Sequence, residues 1–484
     1  MSLKIIHYDV APGAAEDATV TTQDESEFSS PDLITEGNIL IPSLATGEAG
    51  AWILDGSCDI LSNQQIPFWS NAMSGSDGNF SEPYPNIEVT LSDSYASVGV
   101  SLMFGDAPGD YCDAVRVTWY SNDSVIVQKT FYPDSSSYYC EKEVIGFDKI
   151  LLEFISTHLP YRYVKLAGLL FGSIHTFTME DLKSAKITQE VNLLSSELRG
   201  STLDFTLVVD DSIEYMFQSK QTLRVFSDDN LLGVFFVDSN TRTGADDYDI
   251  RAYNAISELG NEAFAGGVYT NQSAKALIQS IIDSEFKLDF GELEDFLLTG
   301  AILPGTKREA LQQILLAWGT CVSTDSVEGL RFFSPDVNAT VITENETYNG
   351  ATIDTATPVT QIQVTSHAYA LDPNGSIEIG GNKYSDTMSV YVLNNPAVIS
   401  SDKSNALEIT GATLVSPSIV EAVAQRVLAY YSNRNTGKAS IVWNGTKLGD
   451  YVQLPNSWDA PTTGHVLRLD LNLSNTIKAD LEVR

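Results

Sequence analysis

At 484 residues the chain exceeds what one hydrophobic core organises, and at roughly 100–200 residues per domain it divides into two to four. Hydrophobic residues make up 43% and aromatic residues 10%, enough to fill several cores, which excludes wholesale disorder. With 28 Lys+Arg against 64 Asp+Glu the net charge is −36. Phosphate backbones and anionic lipid are bound by cationic side chains that displace counterions, so binding of either is disfavoured.

Two accounts of this charge stand side by side. One is solubility within a large particle; the other is a conduit wall to which DNA does not stick. No apolar run approaches the ~20 residues that span a bilayer, so membrane insertion is not expected. The opening MSLKIIHYDV reaches Asp9 before an apolar core develops, unlike a secretory signal. Cys58, Cys112, Cys140 and Cys321 form no C-x-x-C pair and lie near no histidine at metal-ligand spacing. Reduced thiols in a protein assembled in a cytoplasm are the expectation. Whether Cys112 faces Cys140 across strands is not settled by sequence.

In chain order, residues 1–30 read as an acidic N-terminal arm, one short strand at 4–8 followed by extended chain through Ala11, Pro12 and Gly13. From 31 to 174, short apolar or alternating runs (87–91, 99–104, 115–120, 125–130, 149–155, 163–171) are divided by Gly, Asn, Asp, Ser and Pro. They read as strands of an antiparallel sandwich. From 175 onward strand patterns at 203–209, 233–238 and 248–253 are joined by helices. Residues 273–286 place Ala274, Leu277, Ile278, Ile281 and Ile282 on one helical face.

After Thr306, a capping box with Glu309 opens a helix whose stripe is Leu311, Ile314, Leu315 and Trp318, and Gly319 ends it. A third helix at 418–431 repeats the pattern with Ser418 and Glu421 as its box and Val420, Val423, Val427 and Tyr431 inward. The C-terminus is a hairpin. Leu467, Leu469, Leu471 and Leu473, then Ile477, Ala479, Leu481 and Val483, form its dry face on either side of a turn at Ser474 and Asn475. The fold class is mainly β, α+β when the helices are counted. A division near 345–358, where the chain is polar and turn-rich, separates regions 175–350 and 351–484.

No dinucleotide, P-loop, nucleophile-elbow or zincin motif occurs. His7, His158, His175, His367 and His465 are scattered without a ligand or catalytic pattern. A glycosidase needs only two carboxylates about 5–10 Å apart, and 64 acids always contain a pair. The clusters Asp228-Asp229 and Asp246-Asp247 sit in expected turns, where Asp bonds its own backbone. Neither a catalytic residue, a metal ligand nor a cofactor is assigned.

Residues 31–174 resemble the discoidin (coagulation-factor C-type) family of galactose-binding-like jelly rolls. The resemblance is carried by Trp52, Asp55 and Gly56, by Phe68-Trp69-Ser70, by 85–91 (PNIEVTL), by 115–120 (VRVTWY) and by 161–172 (YRYVKLAGLLFG). The family's end-to-end disulfide is not recognisable here. The resemblance implies a glycan- or lipid-binding loop at one end of the sandwich. At 62–81 (SNQQIPFWSNAMSGSDGNFS) Trp69 would be a stacking platform and Asn71 its polar partner; packing under the loop is the competing role for Trp69.

Residues 175–484 resemble the baseplate hub and tail-associated structural proteins of phages and contractile particles. The carrying segments are 186–198 (KITQEVNLLSSEL), 201–207 (STLDFTL), 233–239 (GVFFVDS) and 248–259 (YDIRAYNAISEL), then 424–434 (AQRVLAYYSNR), 447–452 (KLGDYV) and 471–479 (LNLSNTIKA). Residues 8–17 (YDVAPGAAED) resemble the start of such proteins. What this implies is a homotrimer of tail-tube-like β-barrels, joining tail tube to spike and touching other baseplate proteins. It would be assembled in a bacterial host cytoplasm and carried in the virion or tail particle, and DNA could pass through its lumen. A structural, non-enzymatic hub is the first reading, a carbohydrate-binding adhesin the alternative, and a cell-wall hydrolase a third for which no motif speaks.

Overall fold

The computed structural model describes residues 3–11, 13–22, 29–35, 48, 67–105, 109–208, 217, 219–228, 230–244, 246–282, 286–325, 327–335, 340–348, 350–398, 403–456, 461–474 and 476–484. Strands hold 56% and helices 11%, as the mainly β expectation requires. Two compact units form: an N-terminal one of His7–His175 with Glu214–Met216, and a C-terminal one of Met1–Ile6, Thr176–Ile213 and Phe217–Arg484.

In the N-terminal unit the sheet order is Phe68–Met73, Tyr163–Leu170, Asn86–Phe104, Ser137–Thr157, Cys112–Ser121, Ser124–Phe131. Runs that read as separate strands at 87–91 and 99–104 are one strand of 19 residues, bent at register shifts after Thr90 and Ser97. The bulges turn it, so one long strand contributes to core on both sides of each bend. Trp119, Phe68, Phe147 and Phe154 fill that core, Phe68 stacking on Phe154 with centroids 5.6 Å apart. Cys112 and Cys140 are buried free thiols, and burial pushes Cys140 up to about 12. Trp52, Asp55, Gly56 and Cys58 lie outside the described residues.

The N-terminal segment differs from an extended arm. Its strand is Leu3–Val10. Gly13 then takes φ 79° and opens a short helix, α1 (Ala14–Asp17), followed by a strand, Thr19–Thr21, that pairs with Thr90, Val89 and Glu88. The Asp17 carboxylate accepts the backbone N–H groups of Ser92 at 2.8 Å and Asp93 at 3.1 Å, which anchors the acidic segment.

In the C-terminal unit one sheet runs Thr352–Thr355, Asn435–Val442, Lys478–Val483, Thr462–Leu473, Leu182–Glu190, Thr202–Val208, Asp247–Tyr253, Asn230–Arg242, Thr222–Ser227. Strands from 175–350 and from 351–484 therefore share it, and the 345–358 stretch itself supplies Thr352–Thr355. The closing hairpin forms with Leu469 opposite Leu481 and Leu471 opposite Ala479. A bulge between Val466 and Arg468 reverses the alternation there, so Val466 rather than Leu467 is buried.

A short helix, α2 (Ala255–Glu258), is capped by Asn254, whose side chain accepts from the Ser257 N–H at 3.2 Å. Next comes α3 (Ala274–Ile282), which buries the five apolar positions read from its spacing; residues 283–285 lie outside the described set. α4 (Lys307–Trp318) has the expected capping box of Thr306 and Glu309 and stops at Gly319, φ 85°. The helices α3 and α4 share a core with Leu298, Val322 and Phe332. α5 (Val420–Ser432) lacks the expected box: Ile419 occupies the N-cap without a side-chain bond, and the Ser418 hydroxyl lies 2.8 Å from that of Ser416. Val423, Ala424 and Val427 of α5 pack on Ile362, Val364, Tyr391 and Leu393. Those residues belong to a separate four-stranded sheet, ordered Ile377–Ile379, Asn382–Asn394, Gln361–Leu371, Ala406–Ile409. Among the described residues no helix is long and apolar enough to cross a membrane.

Candidate functional site

Trp69 and Asn71 both sit on the strand Phe68–Met73, and the structure separates their roles. Asn71 is exposed. Trp69 is 6% exposed, tilted against Tyr163 at 6.1 Å between centroids, with the Lys165 ammonium 5.3 Å from its ring centre. Its ring is packed, which leaves no open face for a sugar to stack on; the geometry gives Trp69 the packing role.

Beneath it lies a buried charge cluster that the sequence reading missed. Lys165 reaches Glu48 at 2.5 Å and Asp110 at 2.8 Å, and Arg162 approaches Asp110 at 3.9 Å. Glu48 also accepts the Tyr163 N–H at 2.8 Å. Burial raises the Asp110 carboxyl pKa, against the pull of Lys165. A lysine inside the apolar run Tyr163–Leu170 was the available signal, since a buried cation needs a paired acid. The cluster's charges are mutually matched, and it holds the strand ends beside Trp69.

In the C-terminal unit the wet face of the large sheet carries an ion network. Arg468 donates to Asp470 at 3.0 and 3.1 Å and to Glu190 at 2.7 Å. Lys186 reaches Asp470 at 2.9 Å, and Arg199 reaches Glu190 at 2.5 Å. Further along, Asp480 accepts from Ser440, from Asn472 at 3.3 Å and from Lys478 at 3.2 Å. Burial raises the Asp470 pKa, but hydrogen bonds from Arg468 and Lys186 outweigh it and leave the carboxyl below its usual value. Both signs alternate on this face, so the acidic surplus of the chain is not concentrated there. A shallow depression over Lys438, Ser440, Asp480 and Glu482 follows the same rows.

A second depression has an aromatic floor. Phe290 stacks on Phe332 at 4.7 Å and lies 6.5 Å from Trp318, and Asp289, Glu292 and Glu294 stand on the rim. Among the described residues no group of three or more His, Cys, Asp or Glu is placed to hold a metal ion. Of the acid clusters, Asp247 begins a strand and pairs with Lys183 at 2.7 Å, while Asp228 sits in a turn at φ 52°; Asp229 lies outside the described residues.

No family model and no curated protein matches the chain. Solved structures similar to it include the tail protein from Neisseria meningitidis MC58, 11% identical, with a TM-score of 0.48, covering 64% of this chain and 93% of that one. The 43 kDa tail protein of prophage MuSo2 from Shewanella oneidensis is 10% identical, with a TM-score of 0.46, covering 64% and 95%. Prophage tail protein gp18 from Listeria monocytogenes EGD-e is 12% identical, with a TM-score of 0.43, covering 64% and 91%.

Proposed function

We propose that the chain is a structural, non-catalytic baseplate-hub subunit of a phage tail or contractile injection particle, forming a threefold ring that joins tail tube to spike. One observation carries the reading. Segments quoted for the hub resemblance from far-apart stretches of sequence, at 186–190, 201–207, 248–253 and 471–473, lie on consecutive neighbouring strands of one sheet. Part of a resemblance scattered over some 300 positions thus lies on neighbouring strands, while its segment 424–434 lies largely on α5. The absence of any reaction motif in the sequence fits a scaffold.

Within such a ring, the acid surplus would let DNA or a spike pass without adhering. Electron microscopy of the purified chain tests the reading: threefold rings are expected, and a monomer at tens of micromolar overturns it. The adhesin alternative draws on exposed Asn71 alone; saturable glycan binding lost in Asn71→Ala with the fold intact would establish it.

A further inference from the structure

The depression floored by Phe290, Trp318 and Phe332 carries negative charge that the chain itself leaves unanswered. Its volume is about 660 Å³, within the range of ligand-sized clefts, and Phe290 and Trp318 are only partly buried. Of the rim acids, Asp289 accepts the Gly291 N–H at 2.9 Å and so closes its own turn. The Glu292 and Glu294 side chains are exposed, with neither an ion pair nor a hydrogen bond among the described residues.

Each neighbouring cation is engaged elsewhere. Arg331, which lines the depression, reaches Asp325 at 3.4 Å. Lys287 and Arg224 share Glu328 at 3.0 and 3.7 Å. Lys275 rests over Phe290, its ammonium 5.6 Å from the ring centre. Among the described residues no cation forms an ion pair with a rim carboxylate, and none lies over Trp318, although an indole face is the strongest aromatic partner a cation finds.

Floor and rim together select the occupant. A metal ion needs converging ligands, and among the described residues no three acids converge. Carboxylates spread round an aromatic floor suit side chains with an apolar stem and a cationic tip, the form of Lys and Arg. Several unmatched carboxylates call for several cations on one molecule, which a peptide segment supplies and a single amine does not. All 28 Lys and Arg of this chain lie at described positions, and of them Arg331 alone lines the depression. No undescribed stretch of the chain can therefore bring it a cation.

We propose that this depression docks a Lys- or Arg-bearing segment of a different, basic protein. Side-chain stems of that segment lie on Trp318 and Phe290, and their charged tips meet Glu292 and Glu294. The docking requires no ring of copies.

The test is binding of a fluorescein-labelled octapeptide of alternating lysine and glycine to the full chain. Anisotropy is read at physiological ionic strength, where screening suppresses diffuse attraction. The variants are Glu292→Gln/Glu294→Gln and a control, Glu141→Gln/Glu143→Gln, two exposed acids of the same spacing in the N-terminal unit. All four side chains face solvent, so thermal midpoints should stay at the wild-type value. Saturable binding is expected, weakened about fivefold or more by the rim pair and less than about twofold by the control. Unlabelled peptide should shift the tryptophan fluorescence, and Trp318→Phe should remove that shift. Equal weakening in both glutamine pairs, or no saturable binding, overturns the site. A fluorescence shift that survives in Trp318→Phe takes the peptide off this floor and overturns it too. Free lysine amide binding as tightly as the peptide replaces the docked segment with a small cation. Wild-type self-association abolished by Glu292→Gln/Glu294→Gln makes a second copy the occupant instead.

Discussion

Lys186 and Asp470 stand 284 positions apart in sequence and meet at 2.9 Å on neighbouring strands of the large sheet. Asp470 is the shared acceptor, because Arg468 also grips it with two bonds. Its side chain is 13% exposed, against 42% for each of the two cations. Removing the acid takes away the Lys186 bond and both Arg468 bonds and leaves Arg468 with Glu190 alone, whereas removing Lys186 leaves the Arg468–Asp470 pair in place. Asp470→Ala should therefore cost about 1.5–3 kcal/mol and Lys186→Ala less than about 1 kcal/mol. Urea unfolding midpoints of the two variants check this, and equal losses would contradict the shared-acceptor geometry.

Acid should act on the same network. The Asp470 and Asp480 carboxyls are raised by burial but lowered further by their hydrogen bonds, so both fold with pKa values below 3.8. A depressed carboxyl stabilises the fold above its unfolded value and loses that contribution as pH falls through the folded one. Stability should decline below about pH 4. In Asp470→Asn the decline between about pH 4 and pH 2 should be shallower than in wild type, as read by thermal midpoints across that range.

Helix capping separates what spacing can reveal from what it cannot. Thr306 and Glu309 form a reciprocal box, with the Thr306 N–H donating to Glu309 at 2.8 Å and the Glu309 N–H to Thr306 at 3.2 Å. Ser418 and Glu421 have the same spacing, yet the helix begins one residue later and Glu421 accepts from Gln425 at 3.2 Å instead. Thr306→Ala should cost about 1 kcal/mol, and Ser418→Ala less than about 0.5 kcal/mol. Comparable losses in chemical denaturation would place a working cap at Ser418.

The same contrast runs through the whole molecule. Periodicity located α3, α4 and the closing hairpin because local burial decides them. It missed the bulge at Val466 and Arg468, where one inserted residue moves burial from Leu467 to Val466. It read 87–91 and 99–104 as two strands, since a bent continuous strand and a turn look alike where polar residues intervene. The acidic segment anchored through Asp17 depends on N–H groups 75 and 76 positions away, a relation no local pattern contains. Trp69 was legible as an aromatic in a polar loop, but its cover by Lys165 and Tyr163 is tertiary.

Trp69 should accordingly behave as core. Trp69→Ala removes a ring that is 6% exposed and should destabilise the N-terminal unit by about 3–5 kcal/mol. Asn71→Ala, at an exposed position, should stay within about 0.5 kcal/mol. Thermal unfolding followed by tryptophan fluorescence distinguishes them. A Trp69→Ala variant of wild-type stability would return Trp69 to a surface role.

The last turn of α4 offers a coupled pair. Gly319 ends that helix at φ 85°, its N–H donating to the Leu315 carbonyl at 2.7 Å. Arg426 of α5 donates to the Leu316 carbonyl, bringing a cation to the negative end of the α4 dipole. A Cβ added at Gly319 would lie 2.4 Å from Arg426 Nη1, so Gly319→Ala pays both left-handed strain, about 1–2 kcal/mol, and displacement of the guanidinium. Arg426→Ala removes the second cost along with the cap. The two substitutions should therefore be sub-additive: Gly319→Ala should destabilise less in an Arg426→Ala background than in wild type, by about 0.5 kcal/mol or more. A double-mutant cycle in urea measures the coupling, and strict additivity would mean that the guanidinium moves aside without loss.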